Sequence, residues 1–325
     1  MILKMKGVMG MEMTLSLALE KFLEDRATYC KAVTLQNYRV WLSFFREYMK
    51  VRKGVSASEL PLDEITPDDI KAYNIYLRNR HAYGAHPVTP TSARPISKTS
   101  VRTYMVALRA FYTFLWRDGY TEKNLMQGYR MIRKEKHKQE VLTISEVKTI
   151  DSSIDLMNET GLRNWLIVHL MLDAGLRRSE VVGLQCGDID VNKGIIFIRG
   201  AKGDQDRMVL LPFCIQGQLC HYRPKRCNPD GALLLCRDGR PLTLETVKNM
   251  FNRLKKATGI TRLHPHLLRH TFATSFIYYG GRSYDLMFWL GHSSLNTTQI
   301  YVDLSAACRL LKLDIYKIDD VFLQK

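Results

Sequence analysis

Five stretches in the second half of the chain carry side chains able to do chemistry. In order they are Gly175-Leu176-Arg177-Arg178-Ser179-Glu180, Lys202, His266-Leu267-Leu268-Arg269-His270, Leu290-Gly291-His292, and Tyr301. Arginine is permanently charged and donates in pairs, which suits it to holding a phosphate oxyanion. A phenol, with a reference pKa near about 10, is a nucleophile only where neighbours help it shed its proton. Histidine and lysine supply protons or take them. Singly, each residue has an ordinary reading. The chain has 16 tyrosines, so one late tyrosine is by itself a packing residue. A lysine in a turn is by itself a solvated charge, and a lone His-x-x-Arg is weak.

As an ordered set, these motifs resemble those of the tyrosine recombinase (phage integrase) family, the Xer recombinases and lambda integrase among them. The resemblance covers nearly the whole chain and implies metal-free phosphodiester transfer through a 3′-phosphotyrosyl intermediate. Arg177 and Arg269 match the two family arginines; Arg178 is the local alternative to Arg177, which directly follows Gly-Leu. Tyr301 matches the nucleophile and His266 the residue given acid–base and phosphate-binding work. His292 matches a phosphate-contacting donor, and Lys202, in a turn between two strands, matches the general acid. His270 reads as a structural neighbour and Glu180 as a support for the helix that follows Arg177.

The resemblance further implies a fold class that is mainly α with a small antiparallel β-sheet. A helical core-binding (SAM-like) domain would precede a mixed α/β catalytic domain. The implied partner is double-stranded DNA with paired inverted binding sites. A homo-tetramer would assemble on it, each C-terminal tail contacting a neighbouring protomer. No cofactor, metal or ATP is implied, and the chain has no P-loop. Two rivals stay open: a type IB topoisomerase with the same chemistry, and a DNA-binding regulator whose site is dead. Two features depart from the family pattern. His81 to Ser97 makes a long loop, and Phe288-Trp289 is bulkier and more apolar than usual, pointing to an interface or a tight core.

The elements that must position these residues follow from patterning over 325 residues, a length for two domains. Thr14 can cap a helix striped with Leu15, Leu19, Phe22 and Leu23, and Thr34 a second with Tyr38, Trp41, Leu42, Phe45 and Tyr48. Thr66-Pro67-Asp68-Asp69 opens a third, and Val101 to Leu115 stripe a fourth that Gly119 can end. These form a helical domain over residues 1–127. A basic, unpatterned linker spans 128–142, and the capping box Thr143-Ile144-Ser145-Glu146 opens a catalytic domain over 143–325. Strands are expected at Ile195–Ile198 and Met208–Leu211, with a third near Ile189. Helices are expected at Thr243–Thr258, His266–Tyr279, Ser283–Leu290 and from Thr297.

Composition agrees with a polyanion binder. Lys and Arg number 48 against 32 Asp and Glu, a net +16. Up to Glu140 the balance is 24 against 14 and beyond it 24 against 18, so the excess is spread over both parts. The apolar run Trp165–Leu172 is broken by His169, far short of a membrane span. Neither a signal-peptide core nor a basic amphipathic helix is apparent, so no membrane partner and a cytoplasmic location are expected. Seven cysteines without a CxxC pair read as reduced thiols. Cys214, Cys220, Cys227 and Cys236 with His221 match no zinc spacing and read as separate thiols.

Overall fold

The computed structural model describes residues 13–80, 95–133, 140–200, 206–222, 228–292 and 294–317. The chain divides into two compact units, Met1–His137 and Lys138–Lys325.

Four helices build the first unit: α1 (Leu15–Ala27), α2 (Ala32–Lys53), α3 (Pro67–Asn79) and α4 (Lys98–Arg117). Thr14 caps α1 through a hydrogen bond from the Leu17 N–H, and Thr66 with Asp69 forms a reciprocal capping box on α3. Such caps contribute about 1 kcal/mol each by satisfying amides that no helical turn reaches. The expectation for Thr34 is corrected. Helix α2 starts earlier, because extended Lys31 already offers its carbonyl to the Thr34 and Leu35 amides. Gly119 lies one residue past the cap Asp118 and takes a φ of +77°. The apolar stripes of the four helices converge on a core centred on Phe22, Phe45, Tyr73, Phe111 and Tyr112. Tyr129, Met131 and Ile132 also pack on this core, so part of the stretch read as linker belongs to it.

The second unit contains α5 (Ile144–Ser152), α6 (Glu159–Leu172), α7 (Arg178–Gly183), α8 (Phe213–Tyr222), α9 (Leu244–Thr258), α10 (Pro265–Tyr278), α11 (Ser283–Leu290) and α12 (Leu295–Leu310). Its sheet is β1 (Ile189–Asp190), β2 (Ile195–Ile198) and β3 (Arg207–Leu210) in antiparallel order β1-β2-β3. Ile196 faces Val209 and Ile198 faces Arg207 across β2 and β3. Helix α6 is buried nearly all round and forms the centre of the unit, which is why its apolar run lacks a polar face. Helix α10 is similarly buried and packs against both α6 and α12. Among the described residues the first unit is helical and the second mixed, in the fold class expected from the sequence.

The chain after α12 turns back on its own unit. Ile315 is buried and bridges to Thr143, while the Tyr316 N–H donates to the Leu142 carbonyl. The Tyr316 hydroxyl donates to Asp173 at 2.9 Å. Within the C-terminal tail expected to meet a neighbouring protomer, Ile315 is therefore built into its own chain. Leu310, Leu311 and Leu313 are exposed, and 318–325 fall outside the described residues.

Candidate active site

Two glycine turns set the backbone of the site. Gly175, after α6, takes a φ of +69°, and a Cβ there would lie 2.5 Å from the Phe272 ring. Gly291, ending α11, takes a φ of +60°, with the Arg207 side chain 3.3 Å from where a Cβ would stand. Both positions need glycine, for conformation and for the close approach of a neighbour. One turn delivers Arg177 to the start of α7; the other delivers His292 to the approach to α12.

Three guanidiniums bind the C-terminal end of α11. Arg207 Nε donates to the Trp289 carbonyl at 2.8 Å, Arg269 Nη2 to Leu290 at 2.7 Å, and Arg177 Nη2 to Gly291 at 3.2 Å. Carbonyls at a helix C-terminus lack helical donors and carry the negative end of the dipole, so cations are favoured there. Glu180 is the second anchor. It accepts from the Arg177 backbone N–H and side chain at 2.7 and 2.8 Å and from both ends of Arg207, and it lies 3.9 Å from Arg269. Burial alone would raise the Glu180 carboxyl, but Arg207 and then Arg177 hold it down at about 2. Arg269 Nη1 also donates to the Gly175 carbonyl at 2.6 Å, tying the two glycine turns together.

Three guanidiniums thus surround one carboxylate in a region largely closed to water. Burial, and then the proximity of Arg177, weaken the hold of Arg269 on its charge, and Glu180 opposes them. Such a cluster favours a further anion beside it.

Tyr301, on α12, is 5% exposed and packs with Phe272, Phe276, Leu286 and Leu290. Burial raises its phenol above the usual value, while Arg269 and then Arg177 draw it back down. Two histidine rings flank it. Nδ1 of His270 lies 3.1 Å from the hydroxyl, and the His292 ring lies nearly parallel to the phenol with centroids 6.1 Å apart. Nδ1 of His292 pairs with the buried Thr298 hydroxyl at 3.0 Å, which fixes the ring. His266 is exposed at the start of α10, its ring centroid 6.5 Å from that of His270. Burial and then the neighbouring cations hold His292 at about 4. The His266 imidazole, though its side chain reaches solvent, is lowered by partial desolvation of the ring, then by His264 and the arginines.

The structure therefore places Arg177, Arg269, His292 and Tyr301 around one centre, with His266 at its rim. Lys202 lies outside the described residues; beside its position the Gly200 N–H donates to Asp206 at 2.9 Å and Arg199 pairs with the buried Asp188 at 2.7 Å. Reasoning from sequence missed Arg207, Thr298 and the engagement of His270 with Tyr301. Only the place of Arg207 in a strand bordering the Lys202 turn could have marked it. Trp289 takes the core role, its Nε1 donating to the Ala174 carbonyl at 3.1 Å, while Phe288 is exposed beside Tyr284. Cys227 lies outside the described residues. Among the described residues no group of three His, Cys, Asp or Glu is arranged to hold a metal.

The model described as "Phage integrase family" matches residues 140–307, and that described as "Phage integrase SAM-like domain" matches 14–136. Tyrosine recombinase XerA of Thermococcus onnurineus (strain NA1) is 32% identical over 256 residues, 74% of this chain and 86% of its own. Tyrosine recombinase XerC of Bacillus subtilis (strain 168) is 26% identical over 290 residues, 83% and 94% of the two chains. Among solved structures, the Tn1549 transposon integrase in complex with a circular intermediate DNA superimposes with a TM-score of 0.69 at 19% identity, covering 92% of this chain and 99% of its own. A lambda integrase dimer bound to a COC′ core site gives 0.67 at 19%, covering 89% and 95%. These two likenesses concern the fold. The chain belongs to the phage integrase family, and by that membership is a tyrosine recombinase.

Proposed function

We propose that the chain binds double-stranded DNA and cleaves and rejoins its strands at specific sites, with Tyr301 as the nucleophile. The observation that carries the reading is that Arg269 and Arg177 hold the Leu290 and Gly291 carbonyls while Tyr301 packs in the same cluster as Leu290. The phenolic oxygen attacks phosphorus, and the 5′-oxygen leaves. Arg177 and Arg269 neutralise the charge that grows on the non-bridging oxygens, a contribution of about 3–4 kcal/mol for each well-placed donor. His292 adds a donor from Nε2, and His266, at the rim, meets the phosphate from the solvent side. Lys202 protonates the departing oxygen. The phosphotyrosyl bond keeps the energy of the phosphodiester, so rejoining needs no ATP.

The substrate is a pair of inverted sites, gripped by a homo-tetramer. The basic excess in both parts of the sequence supports a grip from both domains, the first acting as the core-binding domain and the second as the catalytic domain. Exposed Leu310, Leu311 and Leu313, with the residues after Lys317, supply the apolar contact to the next protomer.

The test is a covalent trap. The probe is a duplex selected for binding from a random-sequence library and nicked at successive positions, so that the cleaved end is lost. Wild type gives a protease-sensitive protein–DNA band on a denaturing gel, also in EDTA. Tyr301→Phe binds the same duplex within about twofold, because phosphate contacts dominate affinity, and gives no band. A band in the Phe variant would overturn the assignment of the nucleophile. The absence of any band in wild type across the series would overturn the activity.

A further inference from the structure

His270 follows Arg269 on α10, and both guanidinium ends of Arg269 are tied to backbone carbonyls, at Gly175 and Leu290. That pair of bonds pins the turn of α10 carrying the imidazole. The ring is half-buried, with its centroid 5.5 Å from that of Tyr301 at an interplanar angle of 46°, and its Nδ1 is 3.1 Å from the hydroxyl. This is hydrogen-bond reach for a proton acceptor. The other histidines are engaged differently. Nδ1 of His292 is taken by Thr298 and its ring lies alongside the phenol, while His266 lies beyond His270 at the rim.

We propose that His270 is the general base of strand cleavage, receiving the Tyr301 proton on Nδ1 as the phenolic oxygen bonds to phosphorus. The inference rests on Tyr301 as the nucleophile. The O–H bond breaks and leaves its electron pair on oxygen, and the phenolic oxygen forms the O–P bond. The P–O5′ bond breaks with its pair on the 5′-oxygen, which takes a proton from the general acid. In rejoining, the 5′-hydroxyl gives its proton back to the deprotonated general acid as its oxygen bonds to phosphorus. The bond from phosphorus to the Tyr301 oxygen breaks with its pair on the phenolic oxygen, and Nδ1–H returns its proton there. The imidazole starts neutral, because burial, and then His266, His264 and Arg269, hold it at about 4. The phenol surrenders its proton only as the O–P bond forms and turns it acidic, so a weak base in direct contact is sufficient.

A structural hydrogen bond and proton transfer separate in His270→Asn, whose amide oxygen can stand where Nδ1 stood and accept from the phenol but cannot take its proton. Single-turnover cleavage is measured on the trap duplex, with His270→Ala and His270→Gln beside it and DNA affinity as the check of folding. The expected loss for Asn is about 10²–10⁴-fold, the usual contribution of a positioned base, with affinity within about twofold. 3,5-Difluorotyrosine placed at position 301 acidifies the phenol; it should return about tenfold or more to His270→Asn and little to the parent. DNA with a bridging 5′-sulfur, which needs no acid, should leave the His270 defect in place.

His270→Asn cleaving at the parental rate would reduce the contact to positioning and overturn the proposal. So would a defect indifferent to fluorination, or one rescued by sulfur. A covalent band from Tyr301→Phe would instead sink the underlying choice of nucleophile. Loss of the band in Tyr301→Phe with full activity in His270→Asn would sink only the base.

Discussion

Arg207 sets both ends of its guanidinium against the two carboxylate oxygens of Glu180, at 2.9 and 2.8 Å, with side-chain exposures of 9% and 6%. Arg207 leads β3, which follows Lys202 in the sequence, and Glu180 anchors the backbone of Arg177. The pair therefore joins the start of β3 to the turn that delivers Arg177.

Removing Arg207 leaves a buried carboxylate short of its principal partner, a loss of about 3–5 kcal/mol. Arg207→Ala should lower the urea midpoint and the cleavage rate together. Arg207→Lys keeps charge without the paired geometry and should fall between. Adding Glu180→Gln to Arg207→Ala should restore part of the lost stability. A single Ala variant with an unchanged midpoint would contradict the coupling.

Lys202→Ala should slow cleavage of ordinary DNA by about 10²–10⁴-fold, the usual range for a positioned acid. A bridging 5′-phosphorothiolate should restore it, since sulfur leaves without a proton. Equal defects on the two substrates would take Lys202 out of the acid role.

Because Ile315 and Tyr316 are built into their own unit, a truncation that tests contact between protomers has to begin after Lys317. Deleting residues 318–325 should leave the urea midpoint and single-site binding unchanged while reducing paired-site complexes on native gels. If pairing is unaffected, the contact rests on Leu310, Leu311 and Leu313, and polar substitutions there become the measure.

His169 stacks on Trp165 and lies between Asp173 and Asp151, its ring nitrogens 2.5 and 2.8 Å from their carboxylates. Burial disfavours its charge, yet Asp173 and then Asp151 raise its pKa to about 9. A pKa raised on folding stabilises fully below the unfolded value, near about 6.5, and the gain fades as pH climbs through the folded one. Stability should decline from pH about 6.5 to about 9, by up to roughly 3 kcal/mol. His169→Gln should flatten that slope in urea unfolding at a series of pH values. A slope unchanged in the variant would place the titration elsewhere.

Much of this molecule was legible along the chain because the signals are local. Thr14, Thr66 with Pro67, and Thr143 with Glu146 mark helix starts within four residues of themselves, and the β2–β3 hairpin announces itself by two apolar runs around a polar turn. The Gly-Leu-Arg, His-x-x-Arg-His, Leu-Gly-His and Tyr motifs pointed to the family as an ordered set, which residue types and their sequence order alone convey. Thr34 shows where local reading fails: a good capping residue loses to a lysine three positions earlier once the chain has already turned.

Which side chains meet across elements was decided only by the tertiary structure. Arg207 is one of 48 basic residues, and nothing in its neighbours foretells a carboxylate 27 positions away. His270 reads as a companion of Arg269 until the packing of α10 on α12 brings it to a phenol 31 residues distant. His169 looks like an interruption in an apolar run until burial sets it between two carboxylates. A helix or a turn is determined by neighbours in sequence, so its residue types suffice to predict it. A charge or proton-transfer contact depends on the angle and depth at which two elements pack. That is fixed by the whole core at once.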